Sequence, residues 1–238
     1  MLDVETLNFI KQEIEALLNQ GSEESVRRAE EMAQMLEARI QEQRQMESDI
    51  VQSKLRALVE AHPWMAPKLL QQNLSKIVGE NASAKSKRRK VITIATRVTD
   101  ALSPYVACRI GCSDCCHMNT MIYEHEAIRL AEVTERKMVR LAYRPINEVF
   151  AHGAKFNGKP CPFLREDRCS VYEDRPLVCR THHSLLDNPT SCNMEIPPAK
   201  QTRPPMYDPD LLEKPYIELN VKHNPAEPWG NIAEFFPD

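Results

Sequence analysis

The cysteines constrain this chain more than any other feature. All eight lie in the second half of the 238 residues, and four of them fall within the nine residues 108–116. The eight positions are Cys108, Cys112, Cys115, Cys116, Cys161, Cys169, Cys179 and Cys192. Thiolate is a soft ligand that suits zinc, copper(I) and iron–sulfur clusters. Eight thiols within about eighty-five residues therefore predict a metal centre built from these cysteines.

An even number of cysteines also permits a disulfide framework, so the cellular compartment matters. The chain opens with Met1-Leu-Asp-Val-Glu-Thr and contains no apolar run long enough for a signal peptide or a membrane span. These features predict a cytoplasmic protein without a membrane partner. In a reducing cytosol, clustered thiols more often hold metal or do redox chemistry than form stable disulfides. Disulfides, redox sensing and inert free thiols are the alternatives to metal.

The charge balance gives no reason to expect nucleic acid or an acidic membrane as a partner. Lys and Arg total 31 against 34 Asp and Glu, for a formal charge of -3. The basic hexamer at 85–90, Lys-Ser-Lys-Arg-Arg-Lys, can bind nucleic acid, but a run this short is more often the polar start of a helix. The partner that we expect is therefore a metal ion.

Two helices are predicted at the N-terminus. Apolar residues of the first recur at spacings of three and four, at Leu7, Ile10, Ile14 and Leu17. This helix ends near Gly21, and Ser22 is the N-cap of a second helix that continues toward His62-Pro63. Ser25 stands where a capping box needs Glu or Gln, so we expect no reciprocal box. About forty residues without Pro or Gly favour a hairpin packed on a metal domain, or an arm that contacts another protein or forms a homodimer.

Helices are also predicted on both sides of the first cysteine cluster. Helical spacing runs from Val91 to Ser103-Pro104, and again from about Glu124 to Leu141. Most of the 17 prolines come after position 140, which favours an irregular and loop-rich C-terminal third. The aromatic residues that we expect to dock the tail on the body are Trp229, Phe235 and Phe236.

The predicted fold is mainly α, with an N-terminal helical hairpin or arm followed by a small irregular Cys-rich metal-binding domain flanked by helices. We expect the arm or hairpin at 1–82, the cysteine-cluster metal-binding domain at 83–197, and a Pro-rich C-terminal tail packed on the body at 198–238. Few apolar residues occur between 150 and 205. Metal binding is therefore expected to supply much of the folding free energy of the middle domain.

The spacing Cys108-x3-Cys112-x2-Cys115 lets a short loop bring three sulfurs to one centre. Neighbouring side chains point apart on a helix and to opposite faces of a strand. Cys115 and Cys116 can therefore both ligate only around a polynuclear cluster or at two sites side by side. Gly111 favours such a tight fold because glycine adopts backbone angles that other residues avoid. Only Cys112 and Cys115 have the Cys-x2-Cys spacing of a zinc knuckle, which argues against a conventional zinc ribbon.

Three metal arrangements remain open. These are two four-thiolate zinc sites, one iron–sulfur cluster with spare thiols, and a mixed-ligand site in which His117, His182 or His183 replaces a cysteine. Four thiolates around zinc or an oxidised four-iron cluster leave about two net negative charges. Each of four arginines lies within four residues of a cysteine and can balance that charge: Arg109, Arg168, Arg175 and Arg180.

Two kinds of enzyme are disfavoured by the pattern. The spacing of the first three cysteines is also that of radical S-adenosylmethionine enzymes, but this chain lacks the strand–helix alternation of their barrel. Asp114 also stands where that family generally has an aromatic residue. A catalytic Cys-His pair is unsupported because no single cysteine stands apart from the others.

Three segments, taken in order, resemble the YkgJ-type cysteine-cluster family. They are Cys108-Arg-Ile-Gly-Cys112-Ser-Asp-Cys115-Cys116, then Cys161-Pro-Phe-Leu164, then Cys169-Ser-Val-Tyr-Glu-Asp-Arg-Pro-Leu-Val-Cys179-Arg180. The resemblance implies a zinc- or iron-chelating domain whose ligands are the eight cysteines, Cys192 included. It also implies a supporting turn of Tyr172, Arg175 and Pro176, with the tyrosine ring packed over the cluster. A related motif occurs in flagellin lysine N-methylases, so the alternative is an iron–sulfur-dependent protein-modifying enzyme, methyltransferase-like or redox.

Overall fold

The computed structural model describes residues 4–109, 111–188, 192 and 204–237. The chain forms two compact units, Met1–Ser53 and Lys54–Asp238. The boundaries expected near 82 and 197 stay predictions. The fold is mainly α, as predicted. Within the described part of the chain, no helix has both the length and the apolar character needed to cross a membrane.

The helices, in chain order, are α1 (Val4–Gln20), α2 (Glu23–Ala61), α3 (Pro67–Gly79), α4 (Ala84–Leu102), α5 (Glu124–Thr134), α6 (Ile146–Gly153), α7 (Leu177–Thr181), α8 (Asp210–His223) and α9 (Ile232–Phe235). The strands are β1 (Met121–Tyr123), β2 (Leu164–Arg165), β3 (Arg168–Cys169) and β4 (Trp229–Asn231). Two antiparallel pairs form, β1 with β4 and β2 with β3.

The two N-terminal helices have the predicted extents, but the start of α2 corrects one expectation. The amide of Ser25 donates to the hydroxyl of Ser22 at 3.1 Å, and the amide of Ser22 donates to the hydroxyl of Ser25 at 3.1 Å. A reciprocal capping box is therefore present, with a serine hydroxyl in place of the expected Glu or Gln side chain. Association of this unit with a second copy or another protein stays a prediction.

In the second unit, α3 and α4 pack against α8. The basic hexamer lies in the first two turns of α4, as predicted, after the N-cap Ser83 accepts a hydrogen bond from the amide of Ser86 at 3.3 Å. Along α4, the buried apolar side chains recur at helical spacing: Val91, Ile94, Ala95, Val98, Ala101 and Leu102. The helix ends at Ser103-Pro104 and delivers the chain to the first cysteine.

Helix α8 departs from the irregular tail that was expected. Pro215 lies inside it, and the missing N–H of this residue removes one helical hydrogen bond. The helix persists because Leu212, Tyr216 and Leu219 bury one face against α3 and α4. Their i, i+4, i+7 spacing is typical of a helix. The prediction of an irregular tail did not use this spacing, because it was based on the number of prolines.

Helix α5 ends at Thr134 and not near Leu141 as expected. Glu135 adopts a left-handed conformation with φ of 55°. The chain then leaves the helix to make other contacts. The guanidinium of Arg136 donates to the carbonyl of Pro162 at 2.7 Å, and the amide of Val139 donates to the carbonyl of Phe235 at 2.8 Å.

The cysteine-bearing part of the chain rests on an apolar core that the C-terminal tail completes. This core contains Ile122, Ala127, Leu130, Phe163, Val171, Ile232, Phe235 and Phe236, and Cys161 and Cys169 pack against it. The rings of Phe163 and Phe236 meet edge to face with centroids 4.9 Å apart. Phe235 and Phe236 therefore dock the tail, as predicted, and Trp229 stacks on Tyr123 with centroids 5.8 Å apart.

A buried polar network joins α4, α5, α8 and the segment before β4. Glu227 is its centre, with one carboxylate oxygen 2.7 Å from Arg88 and the other 2.6 Å from Nδ1 of His125. The other ring nitrogen of His125 lies 2.7 Å from the hydroxyl of Tyr216. Nε of Arg88 also donates to the amide oxygen of Asn220 at 2.7 Å. The network holds the tail to the body without any cysteine.

Candidate metal centre

Backbone hydrogen bonds bring three cysteine-bearing segments together. The amide of Cys161 donates to the carbonyl of Cys116 at 2.7 Å, and the amide of Gly158 donates to the carbonyl of His117 at 2.7 Å. On the other side, the amide of Ala107 donates to the carbonyl of Ser184 at 3.3 Å. The first cluster of cysteines thus lies between the segments that carry the later ones.

The first segment folds tightly, as its glycine predicted. Gly111 has a φ of 93°, in the left-handed region that favours glycine. The amide of Cys112 donates back to the carbonyl of Arg109 at 2.9 Å, and a 3-10 turn spans Asp114–His117. Two turns therefore lie within the segment that carries the four cysteines, one at Gly111 and one at Asp114–His117.

The later cysteines sit on short elements. Cys169 ends the β2–β3 hairpin and pairs with Leu164. Cys179 lies in α7, whose first amide, that of Leu177, donates to the carboxylate of Glu126 at 2.9 Å. Cys192 is buried, whereas the other seven cysteines are half-buried. All eight are free thiols in the structure.

Cys115 is the cysteine whose thiol interacts electrostatically with most of the others. Its own pKa is raised well above the usual value, first by its hydrogen bond with Cys116 and then by burial. Its charge in turn raises the pKa of six further thiols, those of Cys108, Cys112, Cys161, Cys169, Cys179 and Cys192. Cys115 therefore lies near enough to each of these six sulfurs to repel it when both are thiolates.

The remaining couplings divide the sulfurs into two groups. Burial raises the pKa of Cys192 to about 12, and the charges of Cys108, Cys112 and Cys115 add to it. Burial likewise raises the pKa of Cys161 to about 11, with additions from Cys169 and Cys115. Cys179 has its pKa raised by burial and then by Cys115, Cys161 and Cys169. We call Cys108, Cys112 and Cys192 the first sulfur group, and Cys161, Cys169 and Cys179 the second.

Apart from bonds within a single residue, four sulfurs accept hydrogen bonds from backbone amides, and each bond lowers the pKa of the thiol that accepts it. Three amides belong to the residue two positions after the cysteine: Asp114 for Cys112, Phe163 for Cys161 and Val171 for Cys169. The fourth is the amide of Ser184, which bonds Cys108. Amides aimed at sulfur stabilise thiolate and tune metal–thiolate sites. The sequence did not predict these donors, because the direction of a backbone amide depends on the completed fold.

Arg175 and Arg180 are the two predicted arginines that act on the sulfurs. The charge of Arg175 lowers the pKa of Cys108, Cys115, Cys169 and Cys179. Arg180 is buried and donates to Thr96 at 2.9 Å and to the carbonyls of Arg175 and Glu173. Arg109 and Arg168 are exposed. Arg136, which was not predicted, lowers the pKa of Cys161.

The turn implied by the resemblance is present, but its tyrosine faces solvent. Tyr172 begins a 3-10 turn and is 44% exposed. The guanidinium of Arg175 lies 3.5 Å from the centre of that ring, and its Nε donates to the carbonyl of Tyr172 at 2.9 Å. The ring therefore helps to position Arg175 and does not pack over the sulfurs.

The three candidate histidines lie in different surroundings. His183 is buried, and its Nε2 is 3.2 Å from the hydroxyl of Thr99. Burial, with the nearby charges of Arg175 and His182, lowers the pKa of His183 to about 4, so this ring is neutral at pH 7. Nδ1 of His117 lies 3.2 Å from the carbonyl of Ser113. Ligation by any of these histidines stays an alternative.

The donor set fits zinc or iron chemically. It consists of soft thiols that raise one another's pKa, and amides and arginines supply partial and full positive charge around them. Among the described residues, no three or more Cys, His, Asp or Glu side chains have the arrangement of a finished metal site. Ligation of a metal by these eight cysteines stays a prediction.

Comparison with known proteins gives one finding for this region. Residues 107–196 match the model of the CxxCxxCC family, described as "Putative zinc- or iron-chelating domain". The match contains all eight cysteines and confirms the cysteine-cluster resemblance; it supports metal binding in general. No curated protein and no solved structure matches the chain significantly. The cysteine-rich region of this chain is therefore similar to a domain that is described as chelating zinc or iron.

Proposed function

We propose that this chain is a metal-binding protein that holds zinc or iron through all eight cysteines, in two adjacent sites. The observation that carries the proposal is the shared position of Cys115, which couples to both sulfur groups. Each group supplies three thiols, and the adjacent pair Cys115 and Cys116 supplies a fourth to each. Four thiolates are the full ligand set of a structural zinc site. This is the side-by-side arrangement that an adjacent cysteine pair permits.

The bound metal would cross-link segments that are distant in the sequence. Burial raises the pKa of Cys161 to about 11 and that of Cys192 to about 12, so both thiols are protonated at pH 7. Metal binding would displace these protons, and its affinity would rise with pH. The amides on Cys112, Cys161 and Cys169 and the charge of Arg175 then stabilise the thiolates. An iron–sulfur cluster in the same cysteines is the alternative, and it would add electron transfer.

Elemental analysis and a visible spectrum of anaerobically purified protein test the proposal. We expect a colourless protein with about two zinc ions per chain. A brown protein that contains iron and sulfide in equal amounts would indicate an iron–sulfur cluster, in place of zinc, on the same cysteines. Protein that binds neither metal when its thiols are reduced would refute metal binding altogether.

Serine variants test the division into two sites. Cys192→Ser and Cys179→Ser each alter one sulfur group, so each is expected to lose about half of the bound metal. The exposed methionine variant Met46→Ser is the control and keeps the full content. Loss of all metal from both cysteine variants, with helical content retained, would indicate one polynuclear centre in place of two sites.

A further inference from the structure

A cleft of about 670 Å³ opens next to the second sulfur group. Two segments form its walls, residues 156–165 and 233–237, and Leu141 closes one side. Its lining is largely apolar and includes Phe156, Leu164 and Phe236. Clefts of 300–1,000 Å³ with apolar walls and a few polar groups are typical of small-molecule sites. Cys161 also lines the cleft, so a ligand there would lie beside the candidate metal centre.

The charged groups of the cleft favour an anion. Lys159 and Arg165 line it, and neither has a carboxylate ion-pair partner among the described residues. Among the described residues that line the cleft, the one acidic side chain is that of Glu234, and it is ion-paired with Arg144 at 2.7 Å. Glu234 also accepts a hydrogen bond from the amide of Asn231 at 2.9 Å. Arg144 thus balances the charge of Glu234. Lys159 lies 5.5 Å from the centre of the Phe156 ring, and Arg165 donates to the carbonyl of Leu164 at 2.8 Å; neither contact neutralises the positive charge of these two side chains.

We infer that this cleft binds a small organic anion with an apolar body, such as an aromatic carboxylate or sulfonate. The rings of the ligand lie against Phe156 and Leu164, and its acid group faces Lys159 and Arg165. Apolar contact supplies most of the affinity, and the two cations select for charge. The inference does not require metal at Cys161, because the walls and the cations belong to the polypeptide.

A pair of fluorescent probes with the same rings tests both parts of the inference. The anion 8-anilinonaphthalene-1-sulfonate carries a sulfonate, and N-phenyl-1-naphthylamine lacks it. We expect the anion to bind saturably, with one molecule per chain, and to bind more tightly than the uncharged probe. Charge reversal in Arg165→Glu removes one attraction and adds one repulsion. It should lower the affinity for the anion by about tenfold and leave the affinity for the uncharged probe unchanged.

Arg168→Glu is the matched control. Arg165 and Arg168 face each other across the β2–β3 pair, so either substitution creates the same Glu–Arg pair in the hairpin. Only Arg165 lines the cleft. An equal loss of affinity for the anion in both variants would refute the site, as would the absence of saturable anion binding to the native chain. Metal content is measured in every sample, so a chain that binds the anion but no metal would overturn the metal proposal and leave this one standing.

Discussion

Replacement of Glu227 by glutamine removes the negative charge at the centre of the buried polar network. The side chain of Glu227 is 7% exposed, and those of its partners Arg88 and His125 are 17% and 20% exposed. Removing one partner of a buried ion pair costs about 3–5 kcal/mol, because the remaining charge stays buried and unpaired. Glutamine keeps one acceptor oxygen and can retain one hydrogen bond. We therefore expect Glu227→Gln to lower the free energy of unfolding by about 2–3 kcal/mol.

Urea denaturation followed by circular dichroism measures this loss, with the metal content of both samples matched. The control is Glu218→Gln in helix α8, because Glu218 is 54% exposed and pairs with the exposed Lys222. That variant should lose only about 0.3–0.5 kcal/mol. Equal losses in the two variants would refute the view that the buried network holds the tail.

The same variant predicts a pH dependence. Burial alone would raise the pKa of Glu227, but the hydrogen bond and charge of His125, with the charge of Arg88, outweigh it and lower the pKa below 4.5. The stabilisation is therefore complete above pH 4.5 and is lost as the pH falls through the lowered value. The difference in stability between the native chain and Glu227→Gln should narrow in that acidic range. A difference that widens there would contradict the reasoning.

Three further predictions concern the cysteine-rich region. Arg180→Met removes three hydrogen bonds of a buried guanidinium and should cost about 2–4 kcal/mol in urea denaturation, against less than about 1 kcal/mol for Arg129→Met at an exposed ion pair. The pKa of His183 is lowered from 6.5 to about 4, so the free energy of unfolding should fall by about 3 kcal/mol as the pH is lowered from 6.5 to 4. Urea denaturation across this range should show no such loss for His183→Gln. Chelation should expose residues 105–195 to protease while the N-terminal helices persist, and an unchanged digestion pattern would count against a structural metal.

Local signals predicted the long helices well. The spacing of apolar residues gave α1, α2 and α4 their extents, and Ser103-Pro104 ended α4 as a proline should. Where distant partners decide the conformation, the prediction was less accurate. Helix α5 is shorter than its pattern because Arg136 bonds Pro162. Helix α8 survives a central proline because its apolar face is covered.

The candidate site was predictable in its chemistry and not in its arrangement. Residue type and spacing identified all eight thiols, and Gly111 identified the tight turn between the first two. The two sulfur groups could not be inferred, because they combine residues up to 84 positions apart, such as Cys108 and Cys192. The amides that bond the sulfurs belong to backbone whose direction depends on the completed fold.

The pairing of β1 with β4 has a consequence for biosynthesis. Strand β1 can pair only after residues 229–231 have been synthesised, and the apolar core under Cys161 is complete only when Phe235 and Phe236 are present. On the ribosome, every cysteine is translated before these residues exist. Until residues 235 and 236 have been made, Cys161 and Cys169 lack part of the apolar core against which they pack in the folded chain.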